Sequence, residues 1–155
     1  MDFDWGEIGQ VLSYLIPVII FILFYVFFRK QQERKRRQQV VRSLISEIDH
    51  NQKLLETFLY KWQTKKFKTG TWKASQTKMD YLDQGLRNTL AGAYEIAEGF
   101  NAEIEAAKKH QSASYLAGIQ VERLREPLAK SRQGLEEWLE LDERQKEMGK
   151  PGGNP

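Results

Sequence analysis

Residues 8–28 read IGQVLSYLIPVIIFILFYVFF, twenty-one positions without one charged side chain. At 1.5 Å per residue a helix of that length covers about 31 Å, which matches a bilayer hydrocarbon core of about 30 Å. Fourteen of the eighteen residues from Val11 to Phe28 are Leu, Ile, Val or Phe. At roughly −0.3 to −0.6 kcal/mol each near mid-bilayer, they favour insertion by several kcal/mol. The stretch therefore reads as a transmembrane helix, and the rest of the chain is interpreted outward from it. A cleaved signal peptide is the competing reading, but it requires a basic n-region, a shorter apolar core and a small-residue cleavage site, none of which is present.

The flanks set the expected orientation. Asp2, Asp4 and Glu7 precede the span without any Lys or Arg, whereas Arg29, Lys30, Arg34, Lys35, Arg36, Arg37 and Arg42 follow it against the single Glu33. By the positive-inside rule, residues 1–7 are expected outside the cell membrane as a short N-terminus, and everything after Phe28 in the cytoplasm. Trp5 falls where an amphipathic ring rests among lipid headgroups. Pro17 removes the backbone bond to the Ser13 carbonyl, so a local kink is expected, with the Ser13 hydroxyl placed to compensate. From Ser43 onward 17 basic residues balance 17 acidic ones. The net charge of +3 thus originates in the juxtamembrane segment and gives no indication of a nucleic-acid-binding domain. The sequence holds no cysteine, which excludes disulfides, thiolate metal sites and a cysteine nucleophile. About 110 residues beyond the span are enough for one small domain.

Residues 29–42 are mostly good helix formers with no Gly or Pro, so the membrane helix is expected to continue into a basic juxtamembrane helix. Arg29, Lys30, Arg34, Lys35, Arg36 and Arg37 are candidate contacts for anionic membrane lipids, although topology alone accounts for them equally well. A 3-4 spacing follows in Val41, Leu44, Ile48, Asn51, Leu55, Phe58 and Trp62, widened by Ile45, Leu54 and Leu59, and predicts one packing face of a globular bundle. This helix is expected to end near 64–66, with Phe67-Lys68-Thr69-Gly70-Thr71 as the stop. A short helix is predicted within 73–84, with Met79, Tyr81 and Leu82 inward, and Gly85 marks a bend. A second long helix carries Leu86, Leu90, Ala93, Ala97, Phe100, Ile104 and Ala107, with Gly92 and Gly99 expected to admit a neighbouring helix closely. Lys108, Lys109 and His110 end it, and Ser112 is a candidate N-cap in the turn that follows. Tyr115, Leu116 and Ile119 lead into a third stripe, Val121, Leu124, Leu128, Ser131, Leu135 and Trp138, inside which Pro127 is expected to kink or divide the helix. Residues 148–155, rich in Gly and Pro, read as a disordered tail.

The expected fold class is all-α. One N-terminal transmembrane helix (8–28) continues through residues 29–42 into a cytoplasmic antiparallel three-helix bundle spanning 43–147.

Few residues suggest chemistry. Glu47-x-x-His50 has the spacing of carboxylate–histidine pairs in di-metal bundles, but Ala107 stands three residues before the other histidine, His110, so the second copy is missing. A metal-binding bundle using Glu47 and His50 is the alternative reading. No nucleophile elbow, oriented histidine or phosphate-cradling glycine loop occurs, so a non-enzymatic protein without cofactors is expected. The connector interleaves Tyr60, Trp62, Phe67 and Trp72 with Lys61, Lys65, Lys66, Lys68, Lys73 and Lys78. Such a pattern can stack bases and hold phosphates; the plainer reading is that the rings cap the bundle end while the lysines solvate it. Trp62, Lys65, Lys66, Phe67, Lys68 and Trp72 are candidate contacts for a protein partner or for self-association, and no nucleic acid is expected. A relay subunit coupling a membrane partner to a cytoplasmic one is a further reading.

The set Leu44, Glu47, Ile48, Asn51 and Leu55, with Trp72, the leucines within 82–90, Tyr94 and Asn101, resembles small uncharacterised bacterial single-pass membrane proteins with a helical cytoplasmic domain. That resemblance implies an anchored helical architecture and no activity. Asn51 and Asn101 on neighbouring helices suggest amides that meet in the core. The plan is also similar to the peripheral-stalk b subunit of ATP synthase, but Lys68-Thr69-Gly70-Thr71 breaks the extended helix which that subunit requires. Phage spanins share an anchor followed by helix, with the helical part outside, against the charge bias here.

Overall fold

The computed structural model describes the backbone of residues 5–148 and the side chains of residues 15–148. The expected N-terminal overhang before Trp5, the Trp5 and Ser13 side-chain roles and the tail beyond Met148 lie outside the described residues. Every element among the described residues is helical and no strand occurs. The α-helices are α1 (Trp5–Glu56), α2 (Gly70–Ser75), α3 (Gln84–His110) and α4 (Arg125–Met148), with 3-10 turns at Gln76–Lys78, Ala113–Leu116 and Val121–Leu124. The chain divides into two compact units, residues 1–39 and 40–155.

The described residues of the first unit, 5–39, are helix alone. Pro17 lies within α1, which continues unbroken past it and through the basic residues, as their helix propensity predicts. Among the described residues one helix is long and apolar enough to cross a membrane by length and composition, and none of its most apolar stretch is buried within the protein. Its large apolar side chains from Leu15 to Phe28 are between 43% and 73% exposed.

The second unit has one core, to which α1, α3 and α4 all contribute: Val41, Leu44, Ile48 and Leu55; Leu90, Ala93, Ala97, Ile104 and Ala107; Leu128 and Leu135. These are the stripes predicted by 3-4 spacing. Ion pairs tie the rims of α1 and α4, Arg132 to Asp49 at 2.8 Å and Arg42 to Glu143 at 3.2 Å. Both are half exposed and contribute at most about 1 kcal/mol each.

Four boundaries differ from expectation, each for a local reason. First, α1 ends at Glu56 rather than near 64–66. Four of the six residues from Thr57 to Trp62 are β-branched or aromatic and of middling helix propensity, and both the N–H and the hydroxyl of Thr57 fold back on the Lys53 carbonyl. Phe58 leaves the helix yet still packs on the core, its ring stacked with Phe67 at 6.0 Å and 5°; Leu59, expected to widen the packing face, is 60% exposed. Second, Gly70, expected within the stop, begins α2 instead. Third, Asp83 caps α3 by accepting from the Leu86 N–H at 3.0 Å, so Gly85 falls in the first turn and makes no bend. Fourth, the segment is divided rather than kinked, and two residues before Pro127: a 3-10 turn ends at Leu124, α4 starts at Arg125, and the proline occupies a first-turn position that needs no N–H donor.

The end of α3 follows the sequence closely. Lys108, Lys109 and His110 form its last turn, Gln111 takes the left-handed conformation at φ 48°, and the Ser112 N–H returns to the Ala107 carbonyl at 3.0 Å. Ser112 then caps the next 3-10 turn. Gly92 and Gly99 do not admit a neighbouring helix; a methyl group at either would meet nothing within 4 Å. The packed small residues of α3 are Ala93, Ala97 and Ala107, which lie on its buried face.

Candidate functional site

Three polar residues on or beside the packing faces of α1 and α3, Glu47, Asn51 and Asn101, hold the connector in place. Asn51 of α1 is fully buried. Its Nδ2 donates to the Lys68 carbonyl and its Oδ1 accepts from the Lys68 N–H, both at 2.7 Å. Asn101 of α3 makes the same pair with the preceding residue, accepting from the Phe67 N–H at 2.7 Å and donating to its carbonyl at 2.9 Å. The two amides therefore do not meet, contrary to the expectation from their positions. Each substitutes for a neighbouring strand on consecutive residues of the connector, satisfying backbone groups that neither helix nor sheet serves.

Glu47, one turn before Asn51, completes the fastening. Its carboxylate accepts from the N–H groups of Thr71 (2.8 Å) and Trp72 (3.3 Å). Thr69 offers no side-chain cap to α2, so a carboxylate on another helix takes that role and meets the positive end of the helix dipole. Trp72 thereby settles against Tyr94, the rings stacked at 5.2 Å and 3°. The Tyr94 hydroxyl is buried and makes no hydrogen bond of ordinary geometry among the described residues. Burial first, then the neighbouring Glu47 carboxylate, pushes its pKa far up, so the phenol stays protonated.

These contacts separate the candidate docking residues. Phe67 (3% exposed) and Trp72 (9%) belong to the core and present no open ring face. Trp62 is half-buried, and Lys65, Lys66 and Lys68 are exposed. Lys66 pairs with Glu105 at 2.8 Å, and Lys73 with Glu98 at 3.2 Å. Leu59, Tyr60 and Lys53, absent from the candidate set, are exposed beside them. The sequence signal that could have found Leu59 and Tyr60 is the cluster of Thr57, Phe58, Tyr60 and Trp62, residues of middling helix propensity.

Glu47 and His50 are not brought together as a metal pair. The carboxylate is turned to the start of α2, and His50 stands at the surface. Among the described residues no three His, Cys, Asp or Glu side chains are grouped to hold an ion. Slight burial, followed by the Lys68, Lys65 and Lys53 ammonium groups, lowers the His50 pKa, with Glu47 opposing.

In the first unit, Arg29, Lys30, Lys35 and Arg36 are exposed and Arg34 and Arg37 half-buried. Arg37 pairs with Glu33 at 2.9 Å. Tyr25, Arg29, Gln32 and Arg36, spaced 4, 3 and 4 residues apart, line a shallow groove along one side of the helix.

Compared with known protein families, curated proteins and solved structures, the chain matches none.

Proposed function

We propose that the chain is a non-enzymatic, single-pass protein of the cell membrane. Its N-terminus lies outside, and residues 43–147 form a cytoplasmic antiparallel three-helix bundle that serves as an interaction or scaffolding module. The observation that carries the reading is the exposure of every large apolar side chain from Leu15 to Phe28. A core helix hides such a face inside its own protein, whereas a bilayer is the solvent in which a fully apolar helix surface is stable. The cations from Arg29 to Arg42, against acidic residues before the span, favour the cytoplasmic placement of the bundle. Arg29, Lys30, Arg34, Lys35, Arg36 and Arg37 would meet anionic lipid headgroups, each gaining about 1 kcal/mol near the surface, with Tyr25 at the polar boundary. The shared core of α1, α3 and α4 supports the bundle, and Glu47, Asn51 and Asn101 are engaged in fastening the connector.

The absence of cysteine makes the test direct. In intact cells a membrane-impermeant maleimide labels Asp4→Cys and spares Ser114→Cys, and carbonate leaves the protein with the membranes. Labelling of Ser114→Cys from outside refutes the orientation; release by carbonate refutes the anchor.

A further inference from the structure

The connector between α1 and α2 has two parts of different character. Residues 67–72 are held by Asn101, Asn51 and Glu47, as described above. The turn before them carries Leu59 and Tyr60 side by side, 60% and 49% exposed. The N–H groups of Leu59, Tyr60, Trp62 and Gln63 bond to no protein acceptor among the described residues. Around this turn Lys53, Lys61, Lys65 and Lys68 are exposed, and none of them forms an ion pair among the described residues, whereas the nearby Lys66 and Lys73 do. Of the acidic groups nearby, Glu47 faces the start of α2 and Asp49 pairs with Arg132, while Glu56 is exposed, so four lysines stand against one carboxylate around the turn. The depressed His50 pKa, owed after burial to three of these lysines, is consistent with a positive field over the tip.

We propose that this tip docks an acidic protein segment bearing an apolar side chain, which seats on Leu59 and Tyr60 while its carboxylates meet Lys53, Lys61, Lys65, Lys68 and the free backbone donors. The proposal rests on reading the second unit as an interaction module and supplies the chemistry of the partner. A surface composed of donors calls for an acceptor-rich partner, and carboxylates are the side chains that only accept when ionised. Nucleic acid is disfavoured because two of the rings it would stack on are taken, Phe67 against Phe58 and Trp72 against Tyr94, which leaves Tyr60, edge-on to Phe58 at 5.1 Å, as the one prominently exposed ring of the turn. A bilayer is disfavoured because, among the described residues of this turn and the connector after it, burial of Phe67 and Trp72 leaves Leu59 and Tyr60 as the large apolar groups exposed for insertion.

The test uses the full chain in phosphatidylcholine nanodiscs and a fluorescein-labelled twelve-residue glutamate peptide with two central leucines, read by anisotropy. Joint replacement of Lys53, Lys61, Lys65 and Lys68 by Gln is expected to weaken binding at least about ten-fold, the sum of several modest ion pairs. Leu59→Ser is expected to weaken it about three-fold. Arg34→Gln with Arg36→Gln, in the basic segment of the first unit, leaves it within about two-fold, and a glutamine-for-glutamate peptide does not bind. Wild-type affinity in the lysine variant, loss of binding in the arginine variant instead, or equal binding of the glutamine peptide overturns the proposal. So does tighter, lysine-dependent binding of polyuridylate or of phosphatidylserine vesicles than of the acidic peptide. The same anisotropy series on the full chain in detergent reads these outcomes whether or not carbonate releases the protein from membranes, so the two readings fail separately.

Discussion

Replacing Asn51 by Leu tests whether the buried amides hold the fold together. The side chain is fully buried, and its two hydrogen bonds to Lys68, each 2.7 Å, are the ones lost. A net hydrogen bond contributes about 0.5–1.5 kcal/mol, and stranding a buried backbone donor or acceptor costs about 1–3 kcal/mol. Lys68 is only partly sequestered, so some of its lost bonding returns as hydration. A destabilisation of about 2–4 kcal/mol is expected, net of whatever the added Leu gains by burial. For a domain of about 100 residues that is a fall in Tm of roughly 10–25 °C. Asn101→Leu, at a half-exposed position, should cost less, about 1–3 kcal/mol. Because both amides grip consecutive residues, releasing one loosens what the other holds, and the double variant should lose about 1 kcal/mol less than the sum. Urea denaturation of the detergent-solubilised chain, followed by circular dichroism, measures all three. Amide exchange at Phe67 and Lys68 gives a local readout, since both N–H groups lie outside helices and owe their protection to these side chains. A stabilised Asn51→Leu, or amides at 67 and 68 that exchange equally fast in wild type and variants, refutes the reasoning.

The remaining predictions concern single sites. Ser131 is fully buried in α4 and its hydroxyl has no partner among the described residues, so Ser131→Ala is expected to stabilise by about 1 kcal/mol in urea melts, through relief of the unpaired group and better helix propensity. Gly92→Ala and Gly99→Ala meet open space at ordinary helical φ, and each should raise stability by about 0.5–1 kcal/mol; a loss at either position indicates a neighbour not accounted for by the fold. His50 has a folded pKa below its usual 6.5. The unfolded chain therefore binds more protons below pH 6.5: stability is fully present above that value and declines as pH falls toward the folded pKa. His50→Gln should flatten this part of the profile, compared by urea midpoints at pH 7.5 and 5.5, and an unchanged slope contradicts the assignment.

Much of this protein is legible without coordinates because its strongest signals are periodic. An uncharged run long enough to cross a bilayer, and apolar residues every three or four positions, constrain the choice of element wherever propensity and burial agree, as they do at Leu44, Leu90, Ala97 and Leu135. The cap at the end of α3 was equally plain, since cations, a turn and a capping serine follow in order. The end of α1 was not, because Phe58 and Trp62 kept the helical spacing while leaving the helix. A ring can reach the core from either backbone conformation, so spacing alone does not separate them.

The polar residues show the same division more sharply. That Glu47 and Asn51 lie on or beside a packing face follows from their positions in the chain. What they bind there, the backbone of residues 68–72, and the parallel use of Asn101 on residue 67, depend on a connector brought back across α1 and α3. Only the folded chain specifies that path, because a hydrogen bond between groups 17 to 34 residues apart has no periodicity to announce it.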